Sequence, residues 1–254
     1  MPKRGFALLL CALLSFALAK RAGAEVYDRI EQQHFGSITT GSYQAGDNLR
    51  FSIDHYRNEF LMRFTGQPEV FVLYADYGSL GGRVLRYDSG AIAIQVAGWG
   101  GVTVYTDNQP EGLPATRTGN SSGPSLPSVT LAQAQSAAED EAAHLLYARN
   151  VRVSFSADWN SLSSDSSLRA MAFDAMENAA RAIDRFTAIP AARAAFTQKV
   201  SAVQMQQTGD RPKIQLTGKT LIVTFNPRQG YKGRASSRAI AFALGKLFGV
   251  PVPN

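Results

Sequence analysis

Between residues 49 and 106 the chain is broken at a roughly ten-residue spacing by turn chemistry, and no other feature constrains the fold as much. The breaks are Gly66-Gln67-Pro68, Gly78 with Gly81-Gly82, Asp88-Ser89-Gly90, and Gly98 with Gly100-Gly101. Glycine supplies positive φ and proline presets φ while removing a donor, so each cluster turns the chain back. The stretches between them read as strands. Leu49-Arg50-Phe51-Ser52-Ile53 alternates apolar and polar, the period of a half-buried strand. Residues 60–64 are apolar apart from Arg63, and Val70-Phe71-Val72-Leu73-Tyr74 is a continuous β-branched and aromatic run. Residues 83–87, 91–96 and 102–106 complete the set. Short strands at this spacing predict an antiparallel sheet that curls into a small sandwich or half-barrel, filling residues 25–109. Residues 26–33 read as a short helix at its entrance.

Residues 110–128 read as a linker. They hold Pro110, Pro114, Pro124 and Pro127, several Gly and Ser, and almost no large apolar side chain. Such a composition buries too little surface to offset ordering entropy. Residues 129–254 then mix helices and strands, which makes the whole chain α+β. Thr130 with Gln133 forms a capping box for an Ala-rich helix running to about Tyr147. Residues 151–155 alternate like a strand. Leu168, Met171, Ala172, Ala175, Ala179, Ile183 and Phe186 recur at helical spacing. Pro190 opens a further helix, with Gly209 beyond its end. Residues 214–216 and 220–225 flank Thr217-Gly218-Lys219 as a hairpin, and a last helix spans residues 237–248, stopped by Gly249 and Pro251.

The N-terminus reads as an export signal. Lys3 and Arg4 precede an apolar run over residues 6–19, too short to span a bilayer and closed by Lys20-Arg21. Ala22-Gly23-Ala24 places small residues for cleavage before Glu25; Ala17-Leu18-Ala19 offers an earlier cut that would leave Lys20-Arg21 at the new terminus. Cleavage between Ala24 and Glu25 removes the chain's single cysteine, Cys11, and leaves 230 residues without a thiol, a disulfide or a membrane-spanning helix. It also changes the charge. The full chain carries +6, but the processed chain has 22 basic and 20 acidic residues, a net +2, which argues against nucleic acid as a partner. Residues 25–119 carry a net charge of −4 and residues 130–254 a net charge of +6.

Familiar catalytic constellations are absent. The three histidines, His34, His55 and His144, share no metal-ligand spacing, and the chain lacks His-Glu-x-x-His and Ser-x-x-Lys. Gly119-Asn120-Ser121-Ser122-Gly123 has Gly-x-Ser-x-Gly spacing but sits in the Pro/Gly/Ser-rich stretch rather than between a strand and a helix, so it is no nucleophile elbow. Gly218-Lys219-Thr220 resembles the end of a phosphate loop, but Lys213 stands where the first glycine belongs, so it reads as the hairpin turn. No cofactor or metal is indicated. Scattered Asp, Glu and Ser still leave room for an unrecognised periplasmic hydrolase or transferase.

Two groups stand out as candidate sites. After Arg185 come ten Lys or Arg and one acid, Asp210. Among them Arg228, Lys232, Arg234 and Arg238 surround a Gly-containing loop leading into a helix capped by Ser236 or Ser237. A helix N-terminus with nearby cations suits an anion such as a lipid head-group, a phosphate or an acidic glycan. The plainer alternative is a solvated basic surface, or one that docks on the acidic N-terminal half. The second group is aromatic: Trp99, inside Gly98-Trp99-Gly100-Gly101, and Tyr74, with Tyr77 and Tyr105, can stack on cell-wall sugar rings or simply fill a β-core. Asp174 and Glu177 share a helix, but Glu177 with Arg181 reads as solvated i,i+4 pairing. Asp54 and His55, adjacent in a strand, face opposite ways.

Pro68-Glu69-Val70-Phe71-Val72-Leu73, Gly100-Gly101-Val102-Thr103-Val104-Tyr105-Thr106 and Pro110-Glu111-Gly112 resemble an uncharacterised family of exported bacterial proteins with a domain of unknown function. The resemblance implies a bacterial envelope setting and no particular activity. The sequence thus predicts a periplasmic or secreted protein in two parts, with a non-catalytic binding or scaffolding role.

Overall fold

The computed structural model describes residues 38–252. The expected export signal with its cut between Ala24 and Glu25, His34, and the helix expected at residues 26–33 lie outside the described residues. Eight strands come first: β1 (Gly41–Ala45), β2 (Leu49–Tyr56), β3 (Glu59–Phe64), β4 (Val70–Tyr77), β5 (Arg83–Tyr87), β6 (Ile92–Val96), β7 (Val102–Thr106) and β8 (Gln109–Gly119). Each pairs antiparallel with the next, and β8 returns to β1 with Tyr43 opposite Arg117 and Ala45 opposite Ala115. The sheet is therefore a closed barrel, not a sandwich or half-barrel. Closure removes both free edges. The interior is filled by side chains, as suits eight strands. Tyr43, Phe51, Ile53, Met62, Phe64, Phe71, Leu73, Leu85, Tyr87, Ile94 and Val104 form one core, with Phe71 edge-on to Tyr87 at 5.1 Å.

The closing strand lies in the segment expected to be linker. Residues 110–119 hold few apolar side chains, but Leu113 and Ala115 suffice to pack on a core the other strands already fill. The strand pairs on both edges, with β7 and β1, and Pro110 falls where the register with β7 is irregular. The irregular connection is therefore shorter, over residues 120–130.

The second half forms an α+β lobe. Its sheet has the order β11-β12-β10-β9, from β9 (Ser154–Ala157), β10 (Ala202–Gln207), β11 (Ile214–Thr217) and β12 (Thr220–Phe225). β10 runs parallel to both β9 and β12, and β11 is an antiparallel edge. The helices are α1 (Leu131–Arg149), α2 (Trp159–Ser164), α3 (Ser166–Thr187), α4 (Pro190–Lys199) and α5 (Ser237–Phe248). The Thr130–Gln133 capping box is present in both directions at the start of α1. The apolar stripe of α3 is buried throughout, from Leu168 to Phe186. Packing of α3 against α1, α4, α5, β10 and β12 makes it the lobe's axis.

The helix opened by Pro190 ends earlier than expected. α4 stops at Lys199, and Ala202–Gln207 is the central strand, its buried Val203 and Met205 obeying period two rather than helical spacing. The strand expected at residues 151–155 pairs only from Ser154, although Val151 and Val153 are buried.

Barrel and lobe meet on the outer face of β3 and β4. Leu61, Val70 and Val72 point away from the barrel core and pack on Tyr231. β3 and the first half of β4 are thus buried on both faces. Two-sided burial explains why these strands read as continuous apolar runs while β2 alternates.

Candidate functional site

Three acids come from three turns at one end of the barrel. Glu69 precedes β4, Asp88 follows β5 and Asp107 follows β7, and alternate turns of an up-and-down barrel share an end. All three meet the lobe at the start of α5. Ser236 is the N-cap, its hydroxyl accepting from Ala239 N–H. The Ser236 N–H and hydroxyl donate to Asp88, the N–H at 2.8 Å. The Ser237 N–H and hydroxyl donate to Glu69 at 2.8 and 2.6 Å. The positive end of the helix is therefore occupied by the protein's own carboxylates. Glu69 is 4% exposed, and burial pushes its carboxyl up, opposed by Ser237 and by the charges of Arg181 and Arg234. Asp88 sits on an exposed turn with its carboxylate turned in onto Ser236. Asp107 takes both Arg185 and Arg238. Burial holds the Tyr87 hydroxyl protonated up to about 12, and Arg238 lies over its ring at 4.4 Å.

The loop before α5 seals the other part of the joint. A 3-10 turn over Pro227–Gly233 starts at Asn226, whose side chain accepts from Arg228 N–H. Tyr56 of β2 reaches this turn, its hydroxyl accepting from Tyr231 N–H at 3.3 Å. Gly230 holds φ 56 and ψ −134 directly against the Tyr56 hydroxyl, so only glycine fits there. Lys232 pairs with Glu59 of β3. Arg234 pairs with Asp174 of α3 and donates to the Val70 carbonyl of β4.

Beside this joint lies a cleft of about 570 Å³, lined by Arg57, Tyr74, Asp88, Arg211, Lys232 and Arg234 together with apolar groups of Val72, Pro212, Ile214, Ala235 and Ala239. Four cations and one acid therefore face one space. Lys232 and Arg234 have acidic partners; among the described residues Arg57 and Arg211 have none. Arg57 forms the β2–β3 turn at φ 56, a left-handed conformation that costs an arginine on the order of 1 kcal/mol. Its guanidinium lies over the Tyr56 ring at 5.4 Å.

The four basic residues singled out in the sequence do not converge on one point. Lys232 and Arg234 line the cleft, Arg238 is drawn onto Asp107 and Tyr87, and Arg228 is exposed outside the cleft lining. The aromatic pair is also divided. Tyr74 is in the cleft, with the Lys232 ammonium 5.9 Å from its ring. Trp99 is 81% exposed in the β6–β7 turn, against the β4–β5 turn that carries Leu80. Tyr105 donates to Gln95 at 2.9 Å. Glu177 pairs with Arg181 at 3.0 Å, and Asp174 with Arg234. Asp54 accepts from Ser121, while His55 packs on Phe60, so the two point apart. His144 lies 3.7 Å from Asp184, away from the cleft. Among the described residues no cluster of three His, Cys, Asp or Glu side chains is placed to hold a metal.

Sequence reasoning passed over Glu69, Asp88, Asp107, Arg57 and Arg211. One signal was available: the apolar runs at residues 60–62 and 70–73 mark where the barrel is covered from outside.

The architecture defines a class: an antiparallel eight-stranded barrel docked on an α+β lobe through partly buried ion pairs and helix-cap hydrogen bonds, with a basic cleft at the joint. The chain belongs to the family described as Domain of unknown function (DUF4908), whose model matches residues 24–244. No curated protein and no solved structure was found to match it.

Proposed function

We propose that this chain is a non-catalytic binding protein of the bacterial envelope that takes the anionic head of an amphiphilic ligand in the cleft between barrel and lobe. The observation that carries the reading is the pair Arg57 and Arg211. Both guanidinium groups line the cleft and neither has an acidic partner among the described residues. Arginine suits bidentate recognition of phosphate or carboxylate. The apolar groups of Val72, Ile214, Ala235 and Ala239 offer the ligand's other part a dry surface, and the volume falls in the range of small-ligand sites. A binding role is favoured over turnover because the cleft's acid, Asp88, already accepts from the α5 N-terminus and no histidine lies in the lining. The envelope setting rests on the export signal read in residues 1–24.

The test is flotation of the chain with vesicles of phosphatidylglycerol or of phosphatidylcholine, with soluble glycerol phosphate as competitor. The expected result is binding to the anionic vesicles alone, weakened at least tenfold in an Arg57→Glu, Arg211→Glu double variant and by added salt. A parent protein that ignores both vesicles, or a double variant that binds as the parent does, would overturn the reading.

A further inference from the structure

A second groove, lined by other residues than the cleft, runs across the outside of the barrel over β1, β2 and the end of β3. Tyr43, Phe51, Ile53, Met62 and Phe64 point into the barrel core. Strand alternation therefore turns Ser42, Arg50, Ser52 and Arg63 outward. Register places them side by side: Ser42 opposite Ser52, and Ser52 opposite Arg63. Arg50 is two residues along β2 from Ser52, opposite Gln44.

The chain leaving β8 forms the groove's wall. Thr118 donates to the Ser42 carbonyl at 3.2 Å, and the Ser42 hydroxyl donates to the Asn120 carbonyl at 3.1 Å. Ser121 donates to Asp54 at 2.9 Å, and Gly123 N–H donates back to Ser121. Residues 118–123 are thus tied across β1 and β2. The groove is open to solvent and holds about 570 Å³.

Two observations point to a ligand. First, Arg50 and Arg63 both line the groove, and among the described residues neither has an acidic partner. Second, the Ser52 hydroxyl oxygen is buried and makes no hydrogen bond among the described residues. A buried hydroxyl without a partner loses on the order of 1–3 kcal/mol relative to water, a loss that an incoming acceptor reverses. The rest of the lining is hydroxyl and amide: Thr65, Gln67, Asn120 and Ser122.

That lining selects the ligand's chemistry. The aromatic residues here, Tyr43 and Phe51, belong to the barrel core, so no exposed ring is available to stack a base and no apolar wall to hold a lipid tail. The groove is larger than one oxyanion needs and rich in groups that bond sugar hydroxyls. We propose that this groove is a second binding site, taking an acidic carbohydrate whose carboxylate or phosphate meets Arg50 and Arg63 and whose hydroxyls meet Ser52, Asn120 and Ser122.

The experiment is amide-resolved NMR titration of the chain with digalacturonate, with the neutral disaccharide galactobiose, and with inorganic phosphate. The acidic disaccharide is expected to shift amides at residues 42, 52, 63 and 118–122, and the neutral one to bind at least tenfold more weakly. Arg50→Ala with Arg63→Ala is expected to weaken binding at least tenfold. Ser52→Ala is expected to weaken it several-fold while leaving the unfolding temperature unchanged or raised, because the substitution removes an unsatisfied group. The Arg57→Glu, Arg211→Glu variant is expected to bind digalacturonate as the parent does, which separates this site from the cleft. The inference is overturned if those amides do not respond, if the Arg50 and Arg63 double variant binds as the parent does, or if phosphate alone binds as tightly as the sugar acid.

Discussion

Replacing Arg234 by methionine tests how much the lobe's buried ion pair, which backs the joint with the barrel, contributes to stability. Arg234 is 3% exposed and joins three elements: Asp174 on α3, the Val70 carbonyl on β4, and the Tyr231 ring 5.3 Å away. Methionine keeps most of the volume and removes the charge. Asp174, itself 7% exposed, then stays buried without a counter-charge. Removing one partner of such a pair costs about 3–5 kcal/mol, because the remaining ion is neither solvated nor paired. In a chain of this size each kcal/mol is worth roughly 2–4 °C, so the unfolding temperature should fall by about 6–20 °C. The second arm is Arg234→Met combined with Asp174→Leu. An apolar pair in place of a buried ion pair is often neutral, so the double variant should recover most of the loss. Urea unfolding followed by Trp159 fluorescence and by far-ultraviolet circular dichroism reads both variants, and the double-mutant cycle isolates the coupling. A single variant that loses less than about 1 kcal/mol, or a double variant that loses as much as the two single changes together, would refute the reasoning.

Two further outcomes follow from the same joint. Burial raises the Glu69 carboxyl above its ordinary value, so the folded chain holds that proton more tightly than the unfolded chain. This contribution to stability is present below the ordinary glutamate range and is lost as pH rises through the raised value. Glu69→Gln, which mimics the protonated acid, should therefore flatten that part of the curve of unfolding temperature against pH; identical curves for parent and variant would place the effect elsewhere. Gly230→Ala should destabilise by about 2–5 kcal/mol, since its Cβ would stand 2.0 Å from the Tyr56 hydroxyl in a backbone region closed to alanine. Adding Tyr56→Phe removes the clashing oxygen and should restore part of the loss in thermal melts; no recovery would show that the contact is not the cause.

Legibility in the sequence followed the range of the interaction. The strands at residues 49–106 were readable because alternation and turn residues act within a few positions. The α1 capping box and the α3 stripe were readable for the same reason. β8 was hidden because its residues lack strand composition and owe their conformation to partners more than 70 positions away in β1, with Tyr43 opposite Arg117. β10 was hidden between a helix and a turn, where two parallel neighbours decide the outcome. The basic C-terminal stretch was visible as composition. Its distribution among Glu59, Asp107 and Asp174 was not, because pairing depends on which strands and helices the fold brings against the C-terminal segment.

The sequence by itself determined an α+β chain, acidic in front and basic behind, with local elements at most of their observed positions. Only the tertiary structure decided that the front closes into a barrel, that its acids and the C-terminal cations neutralise one another across the joint, and that Arg57, Arg211, Arg50 and Arg63 face open grooves without an acidic partner among the described residues. The physical reason is that charge is additive along a sequence but screened in pairs in space. A residue's availability to a ligand is set by which opposite charges the fold has already brought to it.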